Sequence, residues 1–180
     1  MQHADHVALI KDGIGGHGGS WADFGSGTGA FTLALADLLG AGAEIYSIDR
    51  EHRSLLRQQS DLVQRFPGVV LHTIHADFTQ PLVLPPLDGI VMANSLHFQR
   101  EKEPVLRLIS DYLIPGGRLI LVEYNADRGN HWVPFPLSYS TWEALARNSG
   151  FSSTRMLARR PSRFLGEIYS ALSLRSAAGD

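Results

Sequence analysis

The sequence predicts an α/β fold: five parallel strands with helices on both faces of the sheet, closed by an antiparallel strand pair. Three features lead there. Short apolar runs alternate with stretches whose apolar residues recur at helical spacing, from residue 20 to residue 124. A glycine-rich turn at Gly25, Gly27 and Gly29 joins the first apolar run to the first long helical stretch. Two final apolar runs, residues 151–158 and 164–174, are separated only by residues 159–163. That connection is too short for a parallel crossover, so the closing pair is antiparallel.

A chain of 180 residues with 44% hydrophobic content suits one domain with a sizeable core. The expected organisation is a single domain over residues 1–180, with an N-terminal helix and glycine-rich connector at 1–20 and a frayed tail at 175–180. A formal charge of −2 gives no general attraction to nucleic acid or an acidic membrane. The absence of cysteine excludes disulfides, thiolate metal sites and a cysteine nucleophile. Residues 1–11 lack the basic region and long apolar run of a secretory signal, and no stretch reaches membrane-spanning length. A soluble cytoplasmic protein is the expectation.

In chain order, His6, Val7 and Ile10 lie on one side of a short helix ending at Gly13. A glycine-rich connector follows, and so short a lead-in leaves little material for a separate N-terminal lid. Residues 21–24 form a buried strand. Phe31, Leu35, Leu38 and Leu39 give the next helix its apolar face, and Gly40 ends it. Residues 44–48 form a second strand ending at Asp49, and Leu55, Leu56, Leu62, Val63 and Phe66 mark a second helix stopped by Pro67 and Gly68. Residues 69–75 form a third strand. Residues 87–93 are almost continuously apolar, as a central parallel strand requires. Pro104 opens a helix with Val105, Leu108, Ile109 and Tyr112 on its buried face, and a turn at 114–117 feeds a fifth strand. Ser140 to Glu143 have capping-box spacing and start the last helix, which stops near Gly150.

The turn at residues 21–30 satisfies two ligand fingerprints. Gly25, Gly27 and Ala30 match G-x-G-x-x-G/A, in which a pyrophosphate sits on a bare helix N-terminus. Gly25, Gly27 and Gly29 match G-x-G-x-G, with Asp23 two positions ahead. A carboxylate beside the turn repels a pyrophosphate but attracts a ligand ammonium or a water bound to it. The pattern Asp23-x-Gly25-x-Gly27-x-Gly29 resembles the first motif of the class I S-adenosylmethionine-dependent methyltransferases of the small, single-domain, small-molecule type. The Ile114-Pro115-Gly116-Gly117 turn is a second resemblance. The order of elements from about residue 21 to residue 174 is similar to that family's Rossmann-like seven-stranded sheet. A nicotinamide-dinucleotide enzyme and a non-catalytic cofactor-binding or scaffold protein on the same fold stand as alternatives.

The resemblance implies S-adenosyl-L-methionine as cofactor and S-adenosyl-L-homocysteine as product. It implies that Asp23, Phe24, Gly25, Ser26, Gly27 and Gly29 hold the methionine end. Asp49, 20 positions beyond Gly29 and followed by Arg50, offers two charged oxygens to the ribose hydroxyls. It can also cap the helix that follows. At the third strand end stand Ala76, Asp77 and Phe78. There the resemblance implies that Asp77 accepts from the adenine amino group while Phe78 covers the ring; Asp77 can equally cap a turn before Pro81. Asn94 and Ser95, at the fourth strand end, are placed near the cofactor.

Methyl transfer is a displacement that depends on alignment of nucleophile, methyl and leaving sulfur. The expected acceptor is an oxygen or nitrogen of a small molecule. His97, just past the fourth strand, is the candidate general base, since imidazole exchanges a proton near neutral pH. Tyr124 is a weaker candidate. Glu123 and Tyr124 alternate across a strand and are therefore not expected to act together. The loop 125–136, with His131 and Trp132, or a second subunit in a homodimer, can cover the acceptor. Members of the resembled family that methylate base or amide nitrogens commonly carry an Asn- or Asp-Pro-Pro-aromatic motif where this chain has Asn94-Ser95-Leu96-His97. Those that methylate pyrimidine carbon or arsenic use cysteines that are absent here. No metal is expected, since His72 and His75 fall on opposite faces of a strand. Arg155, Arg159, Arg160 and Arg163 form either a solvated hairpin tip or a site for phosphate or carboxylate.

Overall fold

The computed structural model describes residues 1–177. Its strands are Ser20–Phe24 (β1), Glu44–Asp49 (β2), Val70–His75 (β3), Leu87–Ala93 (β4), Leu113–Tyr124 (β5), Phe151–Ser162 (β6) and Gly166–Arg175 (β7). They form one sheet in the order β3-β2-β1-β4-β5-β7-β6. The first five pair in parallel, while β7 runs antiparallel to both β5 and β6. Strand order reverses between β1 and β4. In such a sheet a crevice opens at that point, outside the carboxyl ends of the strands.

The helices are His3–Ile10 (α1), Ala30–Leu39 (α2), His52–Arg65 (α3), Glu103–Tyr112 (α4) and Tyr139–Arg147 (α5). Strand alternation divides the core into two layers. Trp21, Ile45, Val91 and Ile120 pack beneath α1, α2 and α3, together with Leu9, Leu35 and Leu62. Ala22, Phe24, Ile90, Met92 and Leu121 face α4 and α5, against Leu106, Ile109 and Trp142. Both faces of β4 are covered, which is why its sequence is apolar without alternation.

Four local expectations change. The final hairpin is longer than its sequence suggests: β6 runs on through Arg159, Arg160 and Pro161, and the turn falls at residues 163–165. β6 is an edge strand, where proline's missing N–H costs nothing and arginines reach outward. Arg159 lies 3.8 Å from Glu167 and Arg160 3.0 Å from Asp5, so two of the four arginines have acidic partners. Arg175, assigned above to the tail, closes β7 opposite Phe151; the tail residues 178–180 lie outside the described residues. The last helix begins at Tyr139, because Ser138 rather than Ser140 is its cap and accepts from the Thr141 N–H at 3.3 Å. Finally, the last strand begins at Gly166 and not at Phe164, and α1 packs on α2 and turns His6 towards the crevice mouth. Among the described residues no helix is long and apolar enough to cross a membrane.

Candidate active site

Two cavities open at the carboxyl edge of the sheet. The first, about 420 Å³, lies over the switch point and is lined by the glycine turn, Asp49, Arg50, Phe78, Asn94 and Ser95. The second, about 410 Å³, is lined by His97, Tyr124, Trp132, Val133 and Phe164. Asn94 and Phe98 belong to both walls, so the cavities meet there.

The glycine turn owes its shape to backbone that side chains disfavour. Gly25 has φ +76°, and a Cβ there would come within 2.5 Å of the Ser95 Cβ. Gly27 has φ +53°, and a Cβ there would meet no protein atom within 4 Å, so it would stand in open space at the cavity wall. Beneath the turn lies a polar cluster the sequence does not advertise. Gln58, on α3 and 1% exposed, donates from Nε2 to the Gly27 carbonyl at 2.5 Å and to Ser26 Oγ at 2.9 Å. Its Oε1 accepts from Ser47 Oγ at 2.6 Å. A buried glutamine so fully bonded ties α3 and β2 to the turn.

Asp23 does not line the cavity. It shares a strand face with Trp21, under α2, where its carboxylate accepts from Thr32 Oγ1 at 2.7 Å. Burial raises its pKa to about 7 against the opposing Thr32 hydrogen bond, and the nearby Asp49 carboxylate adds to the rise. Its visible task is to fix the first turn of α2. Phe24 points to the other face and is fully buried in the core beside Phe78. Gly29 caps α2 and packs on Gln58.

Asp49 does line the cavity. Its Oδ2 accepts from the Gly27 N–H and its Oδ1 from the Glu51 N–H, each at 2.7 Å. It therefore braces the turn, while Glu51 and not Asp49 caps α3 by accepting from the Arg53 N–H, and each Asp49 oxygen keeps a lone pair for a ligand hydroxyl. Asp77 turns away: its Oδ1 takes the Thr79 N–H and hydroxyl, at 2.9 and 2.8 Å, and its Oδ2 lies 3.5 Å from Arg50. The Thr79 backbone hydrogen bond above all holds its pKa below the usual carboxylate value. Neither Asp77 nor Ala76 lines the cavity, whereas Phe78 does, with its ring against Phe24 at 6.1 Å. The turn-capping alternative describes Asp77. Ser95 Oγ donates to the Phe24 carbonyl at 2.7 Å, which locks β4 to the start of the glycine turn. Asn94 has φ 53°, uncommon for a side-chain-bearing residue, and its buried Oδ1 has no partner among the described residues.

His97 lies in a short 3₁₀ turn, Leu96–Phe98, and is 3% exposed. Its Nδ1 is 3.0 Å from both carboxylate oxygens of Glu123, which is fully buried at the end of β5. The same carboxylate accepts from the backbone N–H of His97 at 3.1 Å and of Tyr124 at 3.2 Å. An ionised carboxylate only accepts, so in a neutral ring the proton belongs on Nδ1 and the lone pair on Nε2. Strand alternation does send Glu123 and Tyr124 opposite ways, yet both reach one imidazole. Glu123 grips His97 from within the fold while Tyr124, its ring 5.9 Å from that of His97, walls the second cavity. Both can serve one imidazole because His97 sits beyond the strand end, where a turn carries it across.

The loop after β5 is pinned to this site. Phe135 N–H donates to the His97 carbonyl at 3.0 Å, and its ring sits 5.9 Å from the Arg100 guanidinium and 6.0 Å from Lys102 Nζ. Asn130 Oδ1 accepts from the N–H groups of Trp132 and Val133, both at 2.9 Å. The loop thus presents Trp132 and Val133 to the second cavity; His131 is not on its wall.

Residues 17–168 match the family model described as "Methyltransferase domain". A curated protein of Methanothermobacter thermautotrophicus, named as a probable cobalt-precorrin-6B C(15)-methyltransferase (decarboxylating), is 33% identical over 100 residues. That stretch is 55% of this chain, which spans about half of the relative's length (49%). Among solved structures, the YcgJ protein of Bacillus subtilis superposes with a TM-score of 0.77 at 12% identity, covering 98% of this chain and 100% of that one. A Burkholderia thailandensis 1,6-didemethyltoxoflavin-N1-methyltransferase, solved with 1,6-didemethyltoxoflavin and S-adenosylhomocysteine, superposes with a TM-score of 0.74 at 17% identity. It covers 97% of this chain and 78% of that one.

Proposed function

The chain belongs to the methyltransferase-domain family, with the class I S-adenosylmethionine-dependent fold, and from that premise we propose methyl transfer to a small neutral acceptor. The reacting atom is an oxygen or nitrogen that carries a proton. The observation behind this reading is the buried His97–Glu123 pair, with His97 on the wall of the second cavity next to Phe98 at the junction.

The first cavity suits a nucleoside with an amino-acid tail. Open space faces Gly27, the Asp49 oxygens have acceptor capacity to spare, and Phe78 offers an apolar face. Bound there, S-adenosylmethionine supplies an electrophilic methyl group. The protein supplies the rest. Asp49 and Phe78 hold the adenosine, with Arg50, Ser26 and Ser95 completing the wall. Asn94 and Phe98 stand where the methyl group meets the acceptor. Nε2 of His97 takes the acceptor's proton as the new bond forms, and Glu123 stabilises the imidazolium that results. Tyr124, Trp132, Val133 and Phe164 offer the acceptor's apolar body a surface to pack against. Tyr124 acts as wall, with its hydroxyl pKa raised by burial and then by the Glu123 charge. Among the described residues no Lys, Arg, Asp or Glu lies on the second cavity's wall, which favours a neutral acceptor.

The same base serves an acidified C–H, and the Methanothermobacter relative is named for a carbon position. Arsenic is a poor fit, because a chain without cysteine has no soft thiolate to hold it. Residues 1–180 act as a single domain in this reading. The test is labelled methyl transfer into phenols, N–H heterocycles and 1,3-dicarbonyls. His97→Ala should lower turnover by at least about 100-fold while S-adenosylhomocysteine still binds. Undiminished turnover would remove His97 as base.

A further inference from the structure

A sulfonium centre has three substituents, and the two cavities account for two of them. The adenosyl group belongs with Asp49 and Phe78, and the methyl group must face Asn94 and Phe98, where the acceptor cavity opens. The aminobutyrate chain is left to run along the remaining wall, which includes Met1, His6, Thr28, Ala30 and Phe31. That wall has a built feature. His6 reaches it from α1, which approaches over α2 from the β6–β7 side. Its ring meets Phe31 edge-on, with centroids 4.9 Å apart. Among the described residues its ring nitrogens make no hydrogen bond. Of the other ionisable side chains on the cavity wall, Asp49 repels a carboxylate and Arg50 is drawn towards Asp77 at the nucleoside end.

We propose that His6 is the receptor for the cofactor's α-carboxylate, donating a ring N–H to it above the first turn of α2. The assignment rests on the S-adenosylmethionine reading of the first cavity. The positive end of the α2 dipole favours the same negative charge. Burial above all holds His6 below the ordinary histidine pKa against the pull of Asp5, which favours the neutral ring. A neutral imidazole still has one N–H to donate. The placement gives α1 a function in cofactor retention and gives the protein a means of telling an intact amino-acid tail from a truncated one.

Calorimetry with two ligands tests this. S-adenosylhomocysteine carries the carboxylate, whereas 5′-methylthioadenosine has the same adenosine and sulfur without it. His6→Ala should weaken S-adenosylhomocysteine by about tenfold and leave 5′-methylthioadenosine unchanged, whereas His6→Gln, which keeps a donor, should retain most of the affinity. Equal losses for both ligands, or no loss for either, would overturn the assignment. Failure of the wild-type protein to bind either compound would instead overturn the cofactor reading beneath it.

Discussion

Replacing Glu123 with glutamine changes little in volume and much in charge. The carboxylate accepts from His97 Nδ1 at 3.0 Å through both oxygens and from two backbone N–H groups at 3.1 and 3.2 Å. A glutamine leaves one accepting oxygen and turns an NH₂ towards a donor. When His97 takes a proton, the imidazolium loses a buried anion. Exchanging a charge-assisted hydrogen bond for a neutral one costs roughly 1–2 kcal/mol. Two unit charges about 4 Å apart at an effective dielectric of about 20 attract by roughly 4 kcal/mol. Together these bracket a barrier increase of about 2–4 kcal/mol, or about 30- to 1000-fold in kcat. Cofactor affinity should hardly move, because Glu123 is not on the first cavity's wall. Nitrogen-15 shifts of the His97 ring give a reading that needs no acceptor. The wild type should show a protonated Nδ1 and an unprotonated Nε2, and Glu123→Gln should weaken that preference. A wild-type ring protonated at Nε2 alone, or unchanged kcat in the variant, would refute the base–carboxylate arrangement.

Two further outcomes follow from the cofactor side. Asp49→Ala should weaken S-adenosylhomocysteine by roughly 1–3 kcal/mol, measured by calorimetry, since it removes a charged acceptor and frees the Gly27 N–H it holds. An unchanged dissociation constant with an intact fold would contradict its ribose role. Asp23 links stability to pH. Its folded pKa of about 7 lies above the ordinary value of 3.8, so between those limits the folded state holds a proton that the unfolded state has released. Its contribution to stability is therefore fully present below the unfolded pKa and is lost as pH rises through the folded one. The total loss approaches about 4 kcal/mol. Denaturant melts should show Asp23→Asn flattening that slope between about pH 4 and pH 7; an identical slope in both proteins would exclude Asp23 as its source.

The framework was legible because parallel strands announce themselves. β4 is apolar on both faces, the glycine turn interrupts the first strand–helix unit, and polar residues stand at strand ends where the crevice must open. Asp49, Phe78, Asn94 and His97 all reach a cavity wall for that reason. Partners across the fold were less visible. Glu123 lies 26 positions from His97, and only the parallel register that sets Ala93 beside Val122 brings them together. Gln58 looks like one more polar residue on an amphipathic helix. It is buried because Gly29 has no side chain to exclude it, a relation that exists only in three dimensions. Asp23 and Asp77 read as ligand contacts because a carboxylate near a strand end is ambiguous until its hydrogen bonds are known. Thr32 and Thr79 occupy them instead.

A structure of the protein with S-adenosylhomocysteine bound tests the central claim most directly. The account predicts adenine against Phe78, the ribose hydroxyls at Asp49, and the sulfur facing Asn94 and Phe98 with a clear line to Nε2 of His97. Sulfur directed away from the second cavity, or a ligand bound outside the first, would contradict it.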